Sequence, residues 1–324
     1  MRSTVKEIAE RDILSVLPQN VKVLFELIKT ELWEKVYEIR LRVGQSPSIS
    51  VLDGEVNLSD VLLIGSNIDV ITQDDIAKTL GLMSQNSIYA VQEEIKSGFL
   101  TLRGGHRVGL VGKVICDSKN IQNIKHFSSL NIRIARQVIG AADAFLNYLI
   151  DHNTFINTLI VSPPKCGKTT ILRDIIRQLS NGVQRLGLKG RTIGVVDERS
   201  ELAACFKGVP QNDIGIRTDV LDNCPKAEGI MMLVRAMSPS IIATDEIGSN
   251  EDTMAIMTAL SAGIGVICTA HGNSVEDILL RPGLKELIST HTFGRIIFIC
   301  NHNGPGTIRA VYDGVQLKPL AVGF

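Results

Sequence analysis

The chain is short of aromatic residues, which make up 4% of its 324 residues. So few rings leave little for stacking against nucleic-acid bases. Basic and acidic residues balance at 34 each, so the net charge is zero and a generally basic nucleic-acid-binding surface is disfavoured. Both observations make nucleic acid an unlikely partner.

Paired cysteines and long apolar runs are also missing. The six cysteines are dispersed and none has CxxC spacing, so we expect neither a zinc site nor a disulfide framework. This favours a reducing, cytoplasmic compartment. Charges run through the first 20 residues, which is unlike a signal peptide. No apolar run approaches the roughly 20 residues that span a bilayer, so partners would have to hold this chain at a membrane.

The first part of the sequence mixes helix and strand patterns. Helical periodicity in the first 30 residues is followed by Ile39, Leu41 and Val43 alternating with arginines, which predicts a half-buried strand. Thr72 with Asp75 predicts a helix start. Turn signals predict two hairpins, with strands 48–52 and 56–63, and 99–102 and 107–115. Residues 1–140 are therefore predicted to form a smaller α+β domain, with a helix over 141–149 leading onward.

After Thr154 short apolar runs alternate with helical patterns, which indicates a mostly parallel sheet covered on both faces. Strands are predicted at 157–161, 192–196, 241–245, 266–270 and 295–300. A hairpin signal lies at residues 303–306. We assign residues 141–324 to this α/β domain.

One loop of this domain has the composition of a phosphate-binding loop. It follows an apolar strand, precedes a helical pattern, and matches G-x-x-x-x-G-K-[ST] except at its first position. In order its residues are Ser162, Pro163, Pro164, Lys165, Cys166, Gly167, Lys168 and Thr169, with Thr170 next. Gly167 lets successive N–H groups face a phosphate, Lys168 reaches the β- and γ-phosphates, and the Thr169 hydroxyl ligates Mg²⁺. The pattern predicts a RecA-like P-loop NTPase core that binds ATP and Mg²⁺.

Acidic residues end two other predicted strands. Asp245 ends the strand predicted at 241–245 and Glu246 follows it; Asp245 would hold Mg²⁺ and Glu246 would polarise the attacking water. Asp197 and Glu198 follow 192–196. Because parallel strands present their carboxyl ends at one crevice, all four acids can enter the same site. Glu198 and Glu246 therefore compete for the role of general base, and the sequence leaves that choice open.

A histidine ends a further strand. His271 follows 266–270, where it could donate a hydrogen bond to a γ-phosphate and report its loss. Arginines that reach the γ-phosphate also favour phosphoryl transfer. The candidates are Arg133, Arg136, Arg217 and Arg235. Arg133 alternates with two isoleucines and should point away from the core of its strand.

Together these elements resemble the type II and type IV secretion ATPase superfamily. Its Walker A loop, acidic box, Walker B strand and histidine box would be 162–169, 197–198, 241–246 and 269–271. Three N-terminal segments, at 38–42, 103–109 and 129–136, resemble the stage III sporulation AA family of endospore-forming bacteria. Two departures from the secretion motors are Ser162 in place of the first glycine and Asp245 in place of a glycine before the Walker B glutamate.

This resemblance implies an ATP-hydrolysing motor of the secretion ATPase and AAA+ kind, assembled as a homo-hexamer. It would be cytoplasmic, with no membrane span of its own, and docked through other stage III sporulation membrane proteins on a channel between mother cell and forespore. The residues leave two alternatives open. One is a nucleic-acid-dependent P-loop ATPase, and the other is a nucleotide-binding scaffold with little turnover.

Overall fold

The computed structural model describes residues 4–52, 54–62, 70–87, 91–117 and 120–320. Its chain divides into two units, Met1–Arg136 and Gln137–Phe324. Each has its own buried core, and the second unit has one on either face of its main sheet. None of the helices within the described residues is both long and apolar enough to cross a membrane.

The first unit is α+β. Its helices are α1 (Val5–Asp12), α2 (Gln19–Glu26), α3 (Thr30–Trp33), α4 (Leu58–Leu62), α5 (Gln73–Met83) and α6 (Gln92–Lys96). Its strands are β1 (Glu38–Arg42), β2 (Ser48–Val51), β3 (Gly54–Asn57), β4 (Phe99–Thr101), β5 (Arg107–Asp117) and β6 (Asn120–Arg133). They form one antiparallel sheet in the order β3-β2-β1-β6-β5-β4.

Several local predictions for this unit are confirmed. In β1 the apolar residues are buried and the arginines half-buried, as the alternation indicated. Thr72 and Asp75 form a reciprocal capping box at the start of α5. The hairpin β4–β5 is present. The predicted strand 56–63 is wrong beyond Asn57, because the ladder with β2 ends at Ser48 and α4 begins at Leu58. Asp53 and Leu63 lie outside the described residues.

The second unit contains the predicted parallel sheet. Its helices are α7 (Leu146–Leu149), α8 (Lys168–Asn181), α9 (Lys226–Ala236), α10 (Asn250–Ser261), α11 (Val275–Leu279) and α12 (Pro282–Ser289). The strands of the main sheet are β9 (Thr158–Ser162), β12 (Ile193–Asp197), β13 (Thr218–Asp222), β14 (Ile241–Thr244), β15 (Gly265–His271), β16 (Arg295–Cys300) and β17 (Thr307–Asp313). Four two-residue strands form small separate ribbons: β7 (Ile150–Asp151), β8 (Thr154–Phe155), β10 (Gly182–Val183) and β11 (Leu188–Lys189).

The main sheet has the order β13-β12-β14-β15-β9-β16-β17, and only β17 is antiparallel to its neighbour. Successive residues of the central strands enter opposite cores. Ile160 packs into one, whereas Leu159 and Val161 pack into the other. This two-sided burial explains why the strands are uninterrupted apolar runs. Because β9, β12, β14 and β15 run parallel, their carboxyl ends lie along one edge of the sheet.

One helix of the second unit is shorter than predicted. The helix expected over 141–149 is present only as α7, because residues 139–145 form turns. The backbone N–H of Ala142 donates to the Asp174 carboxylate (2.9 Å), a bond to α8 instead of one within its own helix. The predicted hairpin at 303–306 is confirmed as the β16–β17 connection.

Candidate functional site

The phosphate-type loop joins β9 to α8. Ser162 ends β9, is 1% exposed, and has a negative φ. A strand residue of this kind does not need to be glycine. The Ser162 hydroxyl donates to the carbonyl of Pro163 (2.6 Å). The first departure from the motif is therefore accommodated without backbone strain.

The sharp turn of the loop comes later. Lys165 has φ +61° and Gly167 has φ +89°, so Gly167 supplies the left-handed conformation just before α8 begins. The hairpin tip after β16 supports this turn, because Gly306 N–H donates to the carbonyl of Cys166 (2.8 Å). Pro164 and Lys165 are exposed, Pro163, Thr169 and Thr170 half-buried, and Cys166 buried. The turn leads directly into the N-terminus of a 14-residue helix, which favours an anion.

Lys168 lies under the loop and is only 5% exposed. Its ammonium lies 3.4 Å from both the carbonyl and the hydroxyl of Ser162, and 3.0 Å from Nδ1 of His271. Burial lowers the pKa of Lys168, and the carboxylates of Asp245 and Glu246 oppose that shift. A buried ammonium with no direct carboxylate contact at this helix start is suited to bind an incoming phosphate.

Asp245 and Thr169 are in direct contact beside it. The Thr169 hydroxyl donates to Oδ2 of Asp245 (2.6 Å), and the Thr269 hydroxyl donates to its Oδ1. No group of three or more His, Cys, Asp and Glu side chains suited to a metal ion occurs in the part of the chain that the structure describes. These hydroxyl and carboxylate oxygens fit Mg²⁺, which takes few protein ligands and completes its shell with phosphate and water.

Glu246 is held on both carboxylate oxygens. Nε2 of His271 lies 2.9 Å from Oε1, and an Arg199 nitrogen donates to Oε2 (2.6 Å). An ammonium only donates, so Nδ1 of His271 accepts from Lys168, and the proton on Nε2 is directed at Glu246. The backbone of Glu246 has φ +53°, a conformation that costs free energy in a residue other than glycine and is common at functional sites.

The other acidic strand end has a different arrangement. Burial raises the pKa of Asp197, although the carboxylate accepts three backbone N–H bonds, from residues 201, 202 and 203. Asp197 therefore fixes the loop after β12 and has little capacity left for a metal. Glu198 forms an ion pair with Lys226 at the start of α9. Glu198, Asp245 and Glu246 line one common cavity.

The two arginine candidates of the second unit, Arg217 and Arg235, lie away from this edge. Arg217 donates to the carbonyl of Ser180 near the end of α8, about 20 Å along the helix from the loop. Arg235 lies in the last turn of α9, whose first turn is the one beside Glu198. Within the first unit, Arg133 is exposed as predicted and pairs with Glu38, and Arg136 donates to two backbone carbonyls.

Arg199 pairs directly with Glu246, and the sequence analysis did not select it. The signal was available, because Arg199 directly follows Asp197 and Glu198 at a strand end that was already placed at the crevice.

Comparisons with known proteins agree with this architecture. The family model described as "Sporulation stage III, protein AA" matches residues 7–317. Stage III sporulation protein AA of Bacillus subtilis (strain 168) is 43% identical over 302 residues, which cover 93% of this chain and 94% of that protein. Among solved structures, the pilus retraction motor PilT with bound ADP aligns with a TM-score of 0.55 at 16% identity, covering 88% of this chain and 77% of that one.

The Legionella pneumophila ATPase DotB aligns with a TM-score of 0.52 at 14% identity, over 92% of this chain and 76% of that one. At these identities the two structural matches show a shared fold, which confirms the RecA-like P-loop architecture with a preceding N-terminal domain. The family match spans nearly the whole chain, and the matching relative exceeds 40% identity over almost its full length. The chain therefore belongs to the sporulation stage III protein AA family.

Proposed function

We propose that the second unit hydrolyses ATP, with the phosphates bound by the loop Ser162–Thr169. The observation that carries this proposal is the link from Lys168 through His271 to Glu246, at the edge where the phosphate-type loop meets α8. It joins a phosphate-binding cation to a candidate base through a single imidazole. The fold shared with DotB and PilT, both described as ATPase or motor, supports the same reaction.

Thr169 and Asp245 are the residues that would hold Mg²⁺ in this proposal. When bound, Mg²⁺ neutralises charge on the phosphate oxygens. The direct bond between Thr169 and Asp245 keeps both oxygens at one point, and Thr269 fixes the second oxygen of the carboxylate. Asp245 is thus oriented from two sides. The aspartate that replaces the usual glycine of secretion motors makes this site similar to an ordinary P-loop ATPase.

Glu246 is proposed as the general base. A water oxygen attacks the γ-phosphorus, the bond from phosphorus to the bridging oxygen breaks, and ADP leaves as the water proton passes to Glu246. Glu198 is the weaker candidate, since its carboxylate pairs with Lys226 and is not joined to Lys168 through His271 as Glu246 is. Lys168 and His271 would lose their phosphate contact after hydrolysis, and this change would drive movement between the two units.

Membership of the sporulation stage III protein AA family supports a role for this activity in sporulation. We propose a homo-hexameric ring on the cytoplasmic side of a membrane complex between mother cell and forespore, held there by other stage III sporulation proteins. The fold shared with the ATPase DotB and the retraction motor PilT supports a motor.

Phosphate release by wild type, Glu246→Gln and Glu198→Gln tests the reaction. We expect Glu246→Gln to abolish turnover while Mg-ATP still binds, and Glu198→Gln to retain most of it. Equal release by wild type and Glu246→Gln, in the presence of ring partners, would support a nucleotide-binding scaffold instead.

Two further measurements separate the remaining alternatives. Stimulation by added DNA or RNA would favour a nucleic-acid-dependent ATPase. Turnover measured against protein concentration, together with mass in solution, tests the ring. A rate per subunit that rises with assembly supports shared sites, and full activity in a monomer contradicts them.

A further inference from the structure

Arg199 combines an exposed side chain with an anchored backbone. Its guanidinium pairs with Glu246, yet its side chain is 62% exposed. Exposed ion pairs contribute little net stability, so this contact can be exchanged for another anion at small cost. The side chain is therefore free to change partners.

The backbone that carries Arg199 is anchored from several directions. Asp197 accepts three N–H bonds from the following residues, and the Ser200 hydroxyl donates to Asp222 on the neighbouring strand (2.6 Å). Arg173, on the helix that follows the phosphate-type loop, donates to the carbonyls of Glu201 and Leu202 (2.5 and 2.7 Å). These bonds tie the Arg199 loop to α8, the helix that begins at the phosphate-type loop.

We infer that Arg199 is a nucleotide-responsive catalytic arginine of the same subunit: it leaves Glu246 and binds the γ-phosphate when ATP enters. This inference rests on the proposed function and adds a residue to it. Lys168 reaches the Glu246–His271 pair from one side and Arg199 from the other. An anion bound to Lys168 therefore lies next to the pair that Arg199 already contacts.

The exchange has two chemical consequences at the same moment. Oε2 of Glu246 accepts a hydrogen bond from Arg199, so the departure of Arg199 frees that oxygen to accept one from the attacking water. The same guanidinium then stabilises negative charge on the transferred phosphoryl group, as arginines in other phosphoryl-transfer sites do. Without nucleotide Oε2 of Glu246 is occupied by Arg199, and with ATP bound it becomes available to water.

Equilibrium binding tests the inference without hydrolysis. In the Glu246→Gln background, Mg-ATP and Mg-ADP affinities are measured for the single variant and for the same chain with Arg199→Ala, Arg199→Lys or Arg185→Ala. Arg185 is an exposed arginine of the same unit that contacts Asn147 and Asp143, so it controls for loss of charge. We expect Arg199→Ala to weaken ATP binding about tenfold with ADP binding unchanged, and Arg199→Lys to restore part of the loss.

The direction of the change in kcat is an independent test. In the otherwise natural chain Arg199→Ala should lower kcat at least about tenfold, whereas an arginine that only blocked Glu246 would raise kcat when removed. If Arg199→Ala leaves the ratio of ATP to ADP affinity unchanged, the inference is overturned and the proposed function still stands. If neither nucleotide binds the wild-type chain, both fail together.

Discussion

His271 donates from Nε2 to Oε1 of Glu246 across 2.9 Å, while its Nδ1 accepts from the ammonium of Lys168. Both ring nitrogens are therefore used, and each in a fixed direction. The backbone of Glu246 is held as well, since its N–H donates to the Thr269 hydroxyl (2.9 Å). The imidazole links the residue proposed to bind phosphate to the residue proposed to activate water.

Replacement of His271 should separate binding from turnover. We expect His271→Ala to lower kcat about 100-fold with a small effect on KM, because Glu246 loses the group that orients it. His271→Gln keeps one donor and one acceptor and should recover part of the rate. His291→Asn, at an exposed histidine with φ +56°, is the control and should behave as wild type. Steady-state kinetics of the three variants contradict this role if kcat is unchanged and only KM rises.

Lys168→Met should stabilise the nucleotide-free chain. Burial depresses the pKa of Lys168 in the folded state, so keeping the ammonium charged destabilises the fold at neutral pH. This free-energy cost declines only as pH rises from the depressed pKa towards the ordinary value of 10.5. A methionine of similar length removes the cost. We expect Tm without nucleotide to rise by about 2 °C or more, and ATP to raise it no further.

The control for this change is Lys285→Met, at an exposed lysine of α12. It should leave both Tm and the stabilisation by ATP unchanged. A fall in Tm for Lys168→Met without nucleotide would mean that the bonds of the ammonium to Ser162 and His271 outweigh its desolvation.

Gly167→Ala and Gly208→Ala form a matched pair. Both glycines have positive φ, +89° and +76°, and each alanine should cost about 1–2 kcal/mol of stability for the left-handed backbone. A Cβ at Gly208 would meet nothing within 4 Å, whereas one at Gly167 would lie 3.4 Å from Pro305 and Gly306. We expect both variants to unfold at lower urea concentration, but only Gly167→Ala to lose ATP affinity. Equal ATP affinity of the two variants would show that the conformation of Gly167 is not needed to bind the phosphates.

The sequence was sufficient for the strands that are buried on both faces. Arg295–Cys300 was predicted with its observed bounds, and the neighbouring strands within one or two residues, because apolar runs between turn signals are local features. The strand Thr218–Asp222 was missed. It lies at the edge of the sheet and carries two aspartates among half-buried residues, so it lacks the apolar run that identified the others.

The candidate site was predictable only in part for a related reason. Strand ends locate residues at an edge, which was enough to bring Lys168, Asp245 and His271 together. They do not specify which side chains pair. That Asp197 is occupied by three backbone N–H groups, and that Arg199 is paired with Glu246, depends on the path of loops that have no periodic pattern.

His106 should make the first unit sensitive to mild acid. The side chain is fully buried, and its Nδ1 accepts from the N–H of Ala135 (3.0 Å). Burial lowers the pKa of His106 below its ordinary value of 6.5, although Asp12 opposes the shift. The unfolded chain therefore binds this proton more tightly than the folded chain, so the free energy of unfolding falls as pH drops below about 6.5. The slope for one proton is at most about 1.4 kcal/mol per pH unit.

Urea unfolding of the whole chain between pH 7 and pH 4.5 measures this effect, with fluorescence of Trp33, in the core of the first unit, as the probe. Carboxylates with lowered pKa, such as Glu55 at about 2, lose their contribution only at more acidic pH. His106→Asn keeps an acceptor near the N–H of Ala135 but leaves part of the buried ring's space empty, so it should be less stable at pH 7, and its stability should change less with pH. A slope equal to that of wild type would show that His106 takes up its proton in the folded state as readily as in the unfolded one.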